Sequence, residues 1–474
     1  MDQTNTSLHA DVLIIGWGKG GKVVAAELGK LGTSVVLVEQ SERMYGGTCP
    51  NVGCVPSKGL VHRAAKRRAT DPAQEYYERA VAEVQSTREF MRLGSYDTLN
   101  SLDTVTLVIG RATFVDPHTV AVASGAGPVR ITAETILIDT GAEPGIPDIP
   151  GLRESSRTMT STDLMESTVL PERLAILGGG YVGLEFASIY RGFGSDITLL
   201  ARGPAILPHE DEEVAAVAAG MLADEGIEFV VGAHVTRVRD TDTEAIVVYE
   251  TGGDANSLAV DAILVASGRA PADRELGLEA AGIRLGPSGA IEVDEYLRTS
   301  QPHIYALGDV NGAPQHTYIS LDDGRIVLDQ LVGEGRRSTA QRVAVPRTIF
   351  INPPLASVGL TEKAAREAGY SVKIASQAVA DIVAMPRAYA VEETRGAMKF
   401  VVDAETDDIL GAALLSIDAQ ELINTVALAM RHGVKAAELR DAIYTHPSST
   451  EAFNGVLATI VRADEPLASM SAER

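Results

Sequence analysis

The chain has 474 residues, 45% of them hydrophobic, and 41 Lys and Arg stand against 64 Asp and Glu for a net charge of −23. At ~100–200 residues per domain this length predicts about two to four domains, with enough apolar residues to bury real cores. The acidity argues against nucleic acid as a partner, because phosphate-backbone binding rests on clustered Lys and Arg.

The N-terminal segment MDQTNTSLHADVLIIG has no cationic leader, and its apolar run, Val12 to Ile15, is far too short for a signal peptide. No run of about 18 apolar residues follows, so no membrane span is predicted. The cytosol is the expected compartment, where a structural disulfide is disfavoured. From Asp11, DVLIIGWGKGGKVVAAELGKLGTSVVLVEQ reads as a buried strand, a Gly-x-Gly-x-x-Gly turn, an amphipathic helix and a second strand. The glycines are Gly16, Gly18 and Gly21. The first makes a tight turn, the second admits a pyrophosphate, and the third lets helix pack on strand with the anion at the helix N-terminus. Glu39 ends the second strand, a carboxylate suited to a ribose diol, so this copy fits FAD or NAD.

The only two cysteines, Cys49 and Cys54, lie in GGTCPNVGCVPSK. In a regular helix their spacing means a rise of about 7.5 Å, longer than the ~4.4–6.8 Å of a disulfide's Cα atoms. Pro50 and Gly53 permit the distortion that closure would need. A zinc site would need about four ligands and no further cysteine exists, so no metal site is predicted. Two unconnected thiols are one reading, and a catalytic dithiol is the preferred one. Residues 65–100 read as a polar, charge-rich helix without evident chemistry, and TILIDTGAEP as a strand closing on Gly141.

From Arg173, RLAILGGGYVGLEFASIYRGFGSDITLLAR repeats the first unit without a gap, with Gly178, Gly180 and Gly183 as its fingerprint. Two copies in matched context predict two dinucleotide sites. Where the first copy has Glu39, the second has Ala201 followed by Arg202. The missing acid and the guanidinium lean towards NADPH, whose 2′-phosphate an arginine holds; a solvated loop charge is the alternative. AILVASGRAP closes on Gly268, and HIYALGDV delivers Asp309 either to the ligand crevice at a strand end or to a helix cap. TYISLDD, Thr317 to Asp323, reads by itself as a surface turn with a helix cap. From Val345 strands and helices alternate as in an α+β domain, including a hairpin turning near Asp407 and Asp408. His446 in HPSSTE reads by itself as a turn residue, and the tail from about Asp464 as loose.

GGTCPNVGCVPSK, the two fingerprints, GYVGLEFAS, LGDV and THPSSTE together resemble the pyridine nucleotide–disulfide oxidoreductases, the family of dihydrolipoamide dehydrogenase, glutathione reductase and mercuric reductase. The resemblance covers essentially the whole chain. It implies an α/β fold of two Rossmann-like domains, for FAD and NAD(P), plus a C-terminal α+β dimerisation domain. The expected borders are 1–150 for the first part of the FAD domain, 151–272 for the NAD(P) domain, 273–344 for a central FAD segment and 345–474 for dimerisation. It also implies a homodimer sharing its active sites. Cys54 matches the thiol beside the flavin, Cys49 the interchange thiol, Lys58 the lysine near flavin N5 and Glu185 its partner. Gly47 and Thr48 fall in the flavin-binding segment, and Tyr181 matches the residue covering the nicotinamide pocket. His446 matches the histidine that reaches the partner subunit's dithiol, with Glu451 holding its other nitrogen.

QSERMYGGTC, SKGLVH, TYISLDDGRIV, GEGRRST and IYTHPSSTE further resemble the RclA-type flavoproteins of reactive-chlorine resistance. This implies a reductase using FAD and NAD(P)H, with hypothiocyanous acid or copper(II) as acceptor. A lipoamide dehydrogenase and a mercury reductase are the alternatives, although the C-terminus lacks the cysteine pair of mercuric reductase. A redox-sensing flavoprotein without turnover is the remaining one.

Overall fold

The computed structural model describes residues 6–462; the tail from about Asp464 lies outside them. The first fingerprint unit is β1 (Thr6–Ile15), α1 (Lys19–Lys30) and β2 (Val35–Glu39). There follow α2 (Thr48–Val52), α3 (Cys54–Ala64), α4 (Ala73–Asn100), then β3 (Val105–Ile109), β4 (Arg111–Asp116), β5 (Thr119–Ser124) and β6 (Gly127–Ile138). The sheet order is β3-β2-β1-β6-β5-β4, with strand Ile304–Ala306 added alongside β6. β1, β2 and β3 run parallel, β6 runs parallel to β1, and helices cover this part. Strands covered on both faces need unbroken apolar runs, which is why VVLVE of β2 is buried along its length.

The second unit carries α5 (Ser161–Glu166), α6 (Tyr181–Phe193) and α7 (Glu212–Asp224) on a parallel sheet of order Ile227–Val231, Asp196–Ala201, Arg173–Leu177, Ala262–Val265, Thr158–Met159. The sequence repeat is also a repeat of register. Ile14 stands opposite Leu37 in the first unit, and Ile176 opposite Leu199 in the second. Gly16 and Gly178 both have positive φ, +96° and +127°. A Cβ on Gly16 would meet the Asp139 carbonyl oxygen at 2.5 Å, and one on Gly178 the carbonyl of Ala266. Only glycine can turn there.

After the strand Ile304–Ala306 come a short 3-10 turn, Gly308–Asn311, and α8 (Thr317–Val332). TYISLDD is therefore not a surface turn. Ile319, Asp323, Ile326 and Val327 form a buried helical stripe. Asp323 disguises that stripe in the sequence, and its carboxylate is satisfied inside by the Gly308 N–H at 2.7 Å and by Arg342. The helix can lie close to α1 because Gly324 faces Gly20, where a Cβ would come within 3.0 Å of the Gly20 Cα. The predicted helix over 65–100 starts later, at Ala73, after turns that end on Pro72; proline fixes φ and suits a helix start.

From Arg347 a six-stranded antiparallel sheet packs against helix Ala419–Arg431 around a separate core that includes Phe400 and Phe453. Strands Ala397–Asp403 and Ile409–Leu415 form the hairpin expected around Asp407 and Asp408. No helix among the described residues is long and apolar enough to cross a membrane.

Candidate functional site

One large cleft, ≈ 2400 Å³, runs between the two fingerprint turns. The first unit lines it with Gly18, Thr48, Cys49, Cys54, Lys58, Gly141 and Asp309, and the second with Gly178, Gly180, Tyr181, Glu185, Arg202 and Gly268. Gly21 and Gly183 sit behind the turns, where a Cβ would press on Ile14 and on the Gly178 carbonyl respectively. Gly47, at φ +74°, leads the chain into α2.

The cysteines flank a break. Cys49 lies in α2 and Cys54 opens α3, with Gly53 between them at φ −131°, ψ −120°, outside helical values. Both are free thiols. Within the pair the Cys49 thiol hydrogen-bonds Cys54 and pulls it down to about 6, assisted by Thr317 and Lys58. Cys49 is pushed up by the same hydrogen bond and by burial. The reduced pair therefore keeps one proton, and Cys54 bears the negative charge. The Thr317 hydroxyl stands 3.6 Å from the Cys54 sulfur.

Behind the thiols, Lys58 Nζ donates to Glu185 Oε2 at 2.7 Å, joining α3 to α6. The other oxygen, Oε1, accepts the Phe350 N–H at 2.9 Å, and the ammonium lies 4.6 Å from the Phe350 ring centre. The lysine is thus fixed at a charge-paired position in the cleft wall. Tyr181 starts α6 and donates its hydroxyl to Glu210 at 2.7 Å. Glu210 is itself clamped by Arg347 at 2.9 Å and by the Ser357 hydroxyl at 2.7 Å.

The nucleotide ends differ as their sequences do. Glu39 is buried at the end of β2, accepting the N–H groups of Trp17 and Ser41, each at 3.1 Å. Burial raises its carboxyl to about 7; hydroxyls donated by a ribose would lower it again. In the second unit Ala201 is buried and Arg202 lines the cleft with no ion-pair partner among the described residues. Asp309 follows its strand and lines the cleft. Burial raises its carboxyl, with Arg269 opposing that shift.

These features fit FAD and NAD(P)H. Two glycine turns admit a diphosphate each, a buried acid waits for a diol at one end, and a free guanidinium waits at the other. No group of three or more His, Cys, Asp and Glu among the described residues is arranged to hold a metal ion.

His446 and Glu451 stand apart from the cleft of their own chain. His446 Nδ1 lies 2.9 Å from Glu451 Oε1, and Oε2 accepts the Ser448 N–H at 2.8 Å. The hydrogen bond to His446 holds the Glu451 carboxyl below its ordinary range. The imidazole is 71% exposed, so the pair is formed and turned outward.

Thr317, Glu210, Phe350 and Asp139 were not found by sequence reasoning. Each reaches the site from a segment far along the chain. A sequence signal existed for Asp139 alone, as the one acid closing the otherwise apolar TILID strand.

The chain belongs to the pyridine nucleotide-disulphide oxidoreductase family, whose nucleotide-binding part matches residues 10–324 and whose dimerisation domain matches residues 345–456. It is an enzyme family that binds FAD and NAD(P)H. Within it the chain is 43% identical to the probable pyridine nucleotide-disulfide oxidoreductase RclA of Escherichia coli K12, over 94% of this chain and 98% of the relative. It is also 33% identical to a mercuric reductase of Staphylococcus aureus, covering 93% of this chain and 80% of that one. To dihydrolipoyl dehydrogenase of Geobacillus stearothermophilus it is 32% identical, over 94% and 95%. The solved copper(II) complex of the HOCl-induced flavoprotein disulfide reductase RclA from E. coli superposes with a TM-score of 0.90 at 41% identity, covering 95% of this chain and 99% of that one.

Proposed function

We propose that the chain is an NAD(P)H-dependent flavoprotein reductase that passes electrons through Cys49 and Cys54 to a small oxidant in defence against reactive chlorine. Hypothiocyanous acid is the acceptor that fits a dithiol exit. The observation that carries this reading is the pair of thiols in one cleft, polarised so that Cys54 holds the charge, beside the Lys58–Glu185 pair.

When bound, FAD would supply hydride acceptance from NAD(P)H and two-electron delivery to the dithiol centre. Gly16, Gly18, Gly21, Glu39, Gly47, Thr48, Gly141 and Asp309 hold it in this reading. Gly178, Gly180, Gly183, Gly268 and Arg202 seat the nicotinamide nucleotide, with NADPH favoured by the guanidinium, and Tyr181 covers the pocket. Lys58, kept in place by Glu185, presents a positive charge that favours the electron-rich cofactor.

Two electrons and one proton, together the equivalent of the hydride from NAD(P)H, break the Cys49–Cys54 disulfide and leave a Cys54 thiolate and a Cys49 thiol. Once deprotonated, Cys49 attacks the sulfur of hypothiocyanous acid. The S–O bond breaks, and hydroxide leaves as water with a proton. Cys54 then attacks the Cys49 sulfur, expels thiocyanate and restores the disulfide. The proton carrier is His446 of the partner subunit, oriented by Glu451, in a homodimer whose outward-turned His446 supports a shared site. The borders 1–150, 151–272, 273–344 and 345–474 and a cytosolic location belong to the same proposal.

Copper(II) marks a second route. The E. coli relative has been solved as a copper(II) complex both with its native sequence and as a Cys-to-Ser variant. On this route electrons leave without the dithiol.

The test is anaerobic titration with NADH and NADPH, followed by turnover of wild type and Cys49→Ser on hypothiocyanite, copper(II), mercury(II), lipoamide and low-molecular-weight disulfides. Cys49→Ser should be reduced normally by NADPH yet lose about 100-fold or more in hypothiocyanite turnover, the range for removing an activated nucleophile. Full turnover in Cys49→Ser would sink the dithiol step, and copper(II) reduction surviving alone would establish the second route. Preferred turnover of lipoamide with NAD would replace the proposal with a lipoamide dehydrogenase.

A further inference from the structure

Asp139 occupies the point where the first fingerprint meets the cleft. β6 ends at Ile138, and the Asp139 N–H bonds the Ile15 carbonyl at 2.8 Å, directing the side chain beneath the turn. The residue is only 3% exposed. Its Oδ2 accepts the Gly21 N–H at 2.6 Å, in the first turn of α1. A Cβ on Gly18 would strike this carboxyl group, and one on Gly308 would come within 3.1 Å of Oδ1. Oδ1 has no hydrogen-bond partner among the described residues, and Asp139 contributes to the cleft wall.

We propose that Asp139 is a cofactor-positioning residue that works as a neutral carboxyl, donating its proton to the diphosphate of FAD, so that FAD retention weakens as pH rises. The inference rests on the first fingerprint holding FAD.

The charges around Asp139 support it. Asp309 on the 3-10 turn and Asp323 on α8 both act on it, and both are acids. Asp323 has Arg342 as its partner and Asp309 has Arg269 nearby, while Asp139 has no cation. On α1, Lys22 is turned to the Ser95 hydroxyl at 3.3 Å, and Lys19 lines the cleft without bonding Asp139. Burial and the two neighbouring acids raise the Asp139 carboxyl well above the ordinary carboxylate range. A dianionic diphosphate at the α1 N-terminus adds more like charge.

An ionised Asp139 would thus be a buried anion without a counter-ion, competing with the diphosphate for the positive end of α1. A protonated one has complementary ends. One oxygen accepts from Gly21 while the hydroxyl is free to donate to a phosphate oxygen. FAD binding then favours the protonated form, and by linkage FAD must be released more readily once pH climbs past the carboxyl's value in the free site.

The experiment follows FAD liberated from the purified holoenzyme, by flavin fluorescence after dilution, for wild type, Asp139→Asn and Asp139→Ala. Relative to Asp139→Asn, wild type should lose affinity as pH rises, by up to about tenfold per pH unit, the limit for one linked proton. Asp139→Asn, which keeps an acceptor for Gly21 and an N–H donor, should lose this fall and keep only the opposite trend set by Glu39, whose carboxyl the ribose hydroxyls pull down. Asp139→Ala should bind more weakly, with the same pH profile as Asp139→Asn. Infrared spectra of wild-type holoenzyme at neutral pH should show a protonated-carboxyl band that is missing from Asp139→Asn. Parallel pH curves in wild type and Asp139→Asn, or no such band, would overturn the proposal. A protein that neither carries nor takes up FAD would overturn both this inference and the cofactor assignment, whereas failure of Cys49→Ser to lose turnover would leave the Asp139 experiment unaffected.

Discussion

Cys54 shows how few atoms decide the chemistry at the level of single residues. Its thiol ordinarily ionises near 9.0, and the neighbouring Cys49 brings it down to about 6. Because the value is depressed, the thiolate exists above about pH 6 and is lost as pH falls through it. The ultraviolet thiolate absorbance of the reduced enzyme should titrate with a midpoint near that value and vanish in Cys54→Ser. A midpoint near 9.0 would mean that the pair does not share its proton as described. The two cysteines, Lys58 and Glu185 were legible because each sits in a short contiguous motif. Thr317 was not, since 263 positions separate it from the sulfur that it touches. Nothing in a threonine's local sequence announces such a contact.

Among the elements, the βαβ repeat was fully readable, because apolar strands, glycine turns and amphipathic helices carry local periodicities. The break between α2 and α3 was foreseeable from Gly53, whereas α8 was hidden by Asp323 in its buried stripe. A charged residue is tolerated there only because Arg342 and the Gly308 N–H come from other parts of the fold. The junction of α7 with the C-terminal sheet uses similar means. Lys399, on strand Ala397–Asp403, contacts Asp211 at 3.0 Å, Glu213 at 3.0 Å and Glu362 at 2.8 Å. Its side chain is 6% exposed, and removing it leaves the buried Asp211 without a cation among the described residues, whereas Glu362 keeps Arg366 and Glu213 keeps the Ser376 hydroxyl. Lys399→Ala should therefore destabilise the protein by about 3–5 kcal/mol, the range for breaking a buried ion pair, read from urea unfolding with the far-ultraviolet signal. A loss below about 1 kcal/mol would class the cluster with surface pairs.

For the whole molecule, the cleft depends on two separately folded sheets meeting, and a dimerisation domain is part of the chain. His446 and Glu451 are paired with each other, and neither lines the cleft that holds Cys49 and Cys54. If the proposed dimer is right, His446→Gln and Cys49→Ser homodimers should both be nearly inactive on hypothiocyanite. Refolding an equal mixture should restore roughly a quarter of the wild-type sites, because half the dimers are mixed and each has one intact cysteine–histidine set. Turnover of the mixture no higher than that of the separate variants would place His446 outside the shared site.

By itself the sequence determined what local pattern can encode: two dinucleotide-binding units, a third domain of different character, the dithiol, the Lys58 and Glu185 motifs and the family. Only the tertiary structure decided which neighbours polarise the paired thiols, what clamps Tyr181, and where Asp139 lies. The physical reason is that charge state depends on burial and on neighbours within a few ångströms. Those neighbours are supplied by segments whose separation along the chain leaves no local trace. The chain's acidity gains one specific element in this way, because Asp139, Asp309 and Asp323 gather around the first glycine turn, and two of the three have a nearby arginine.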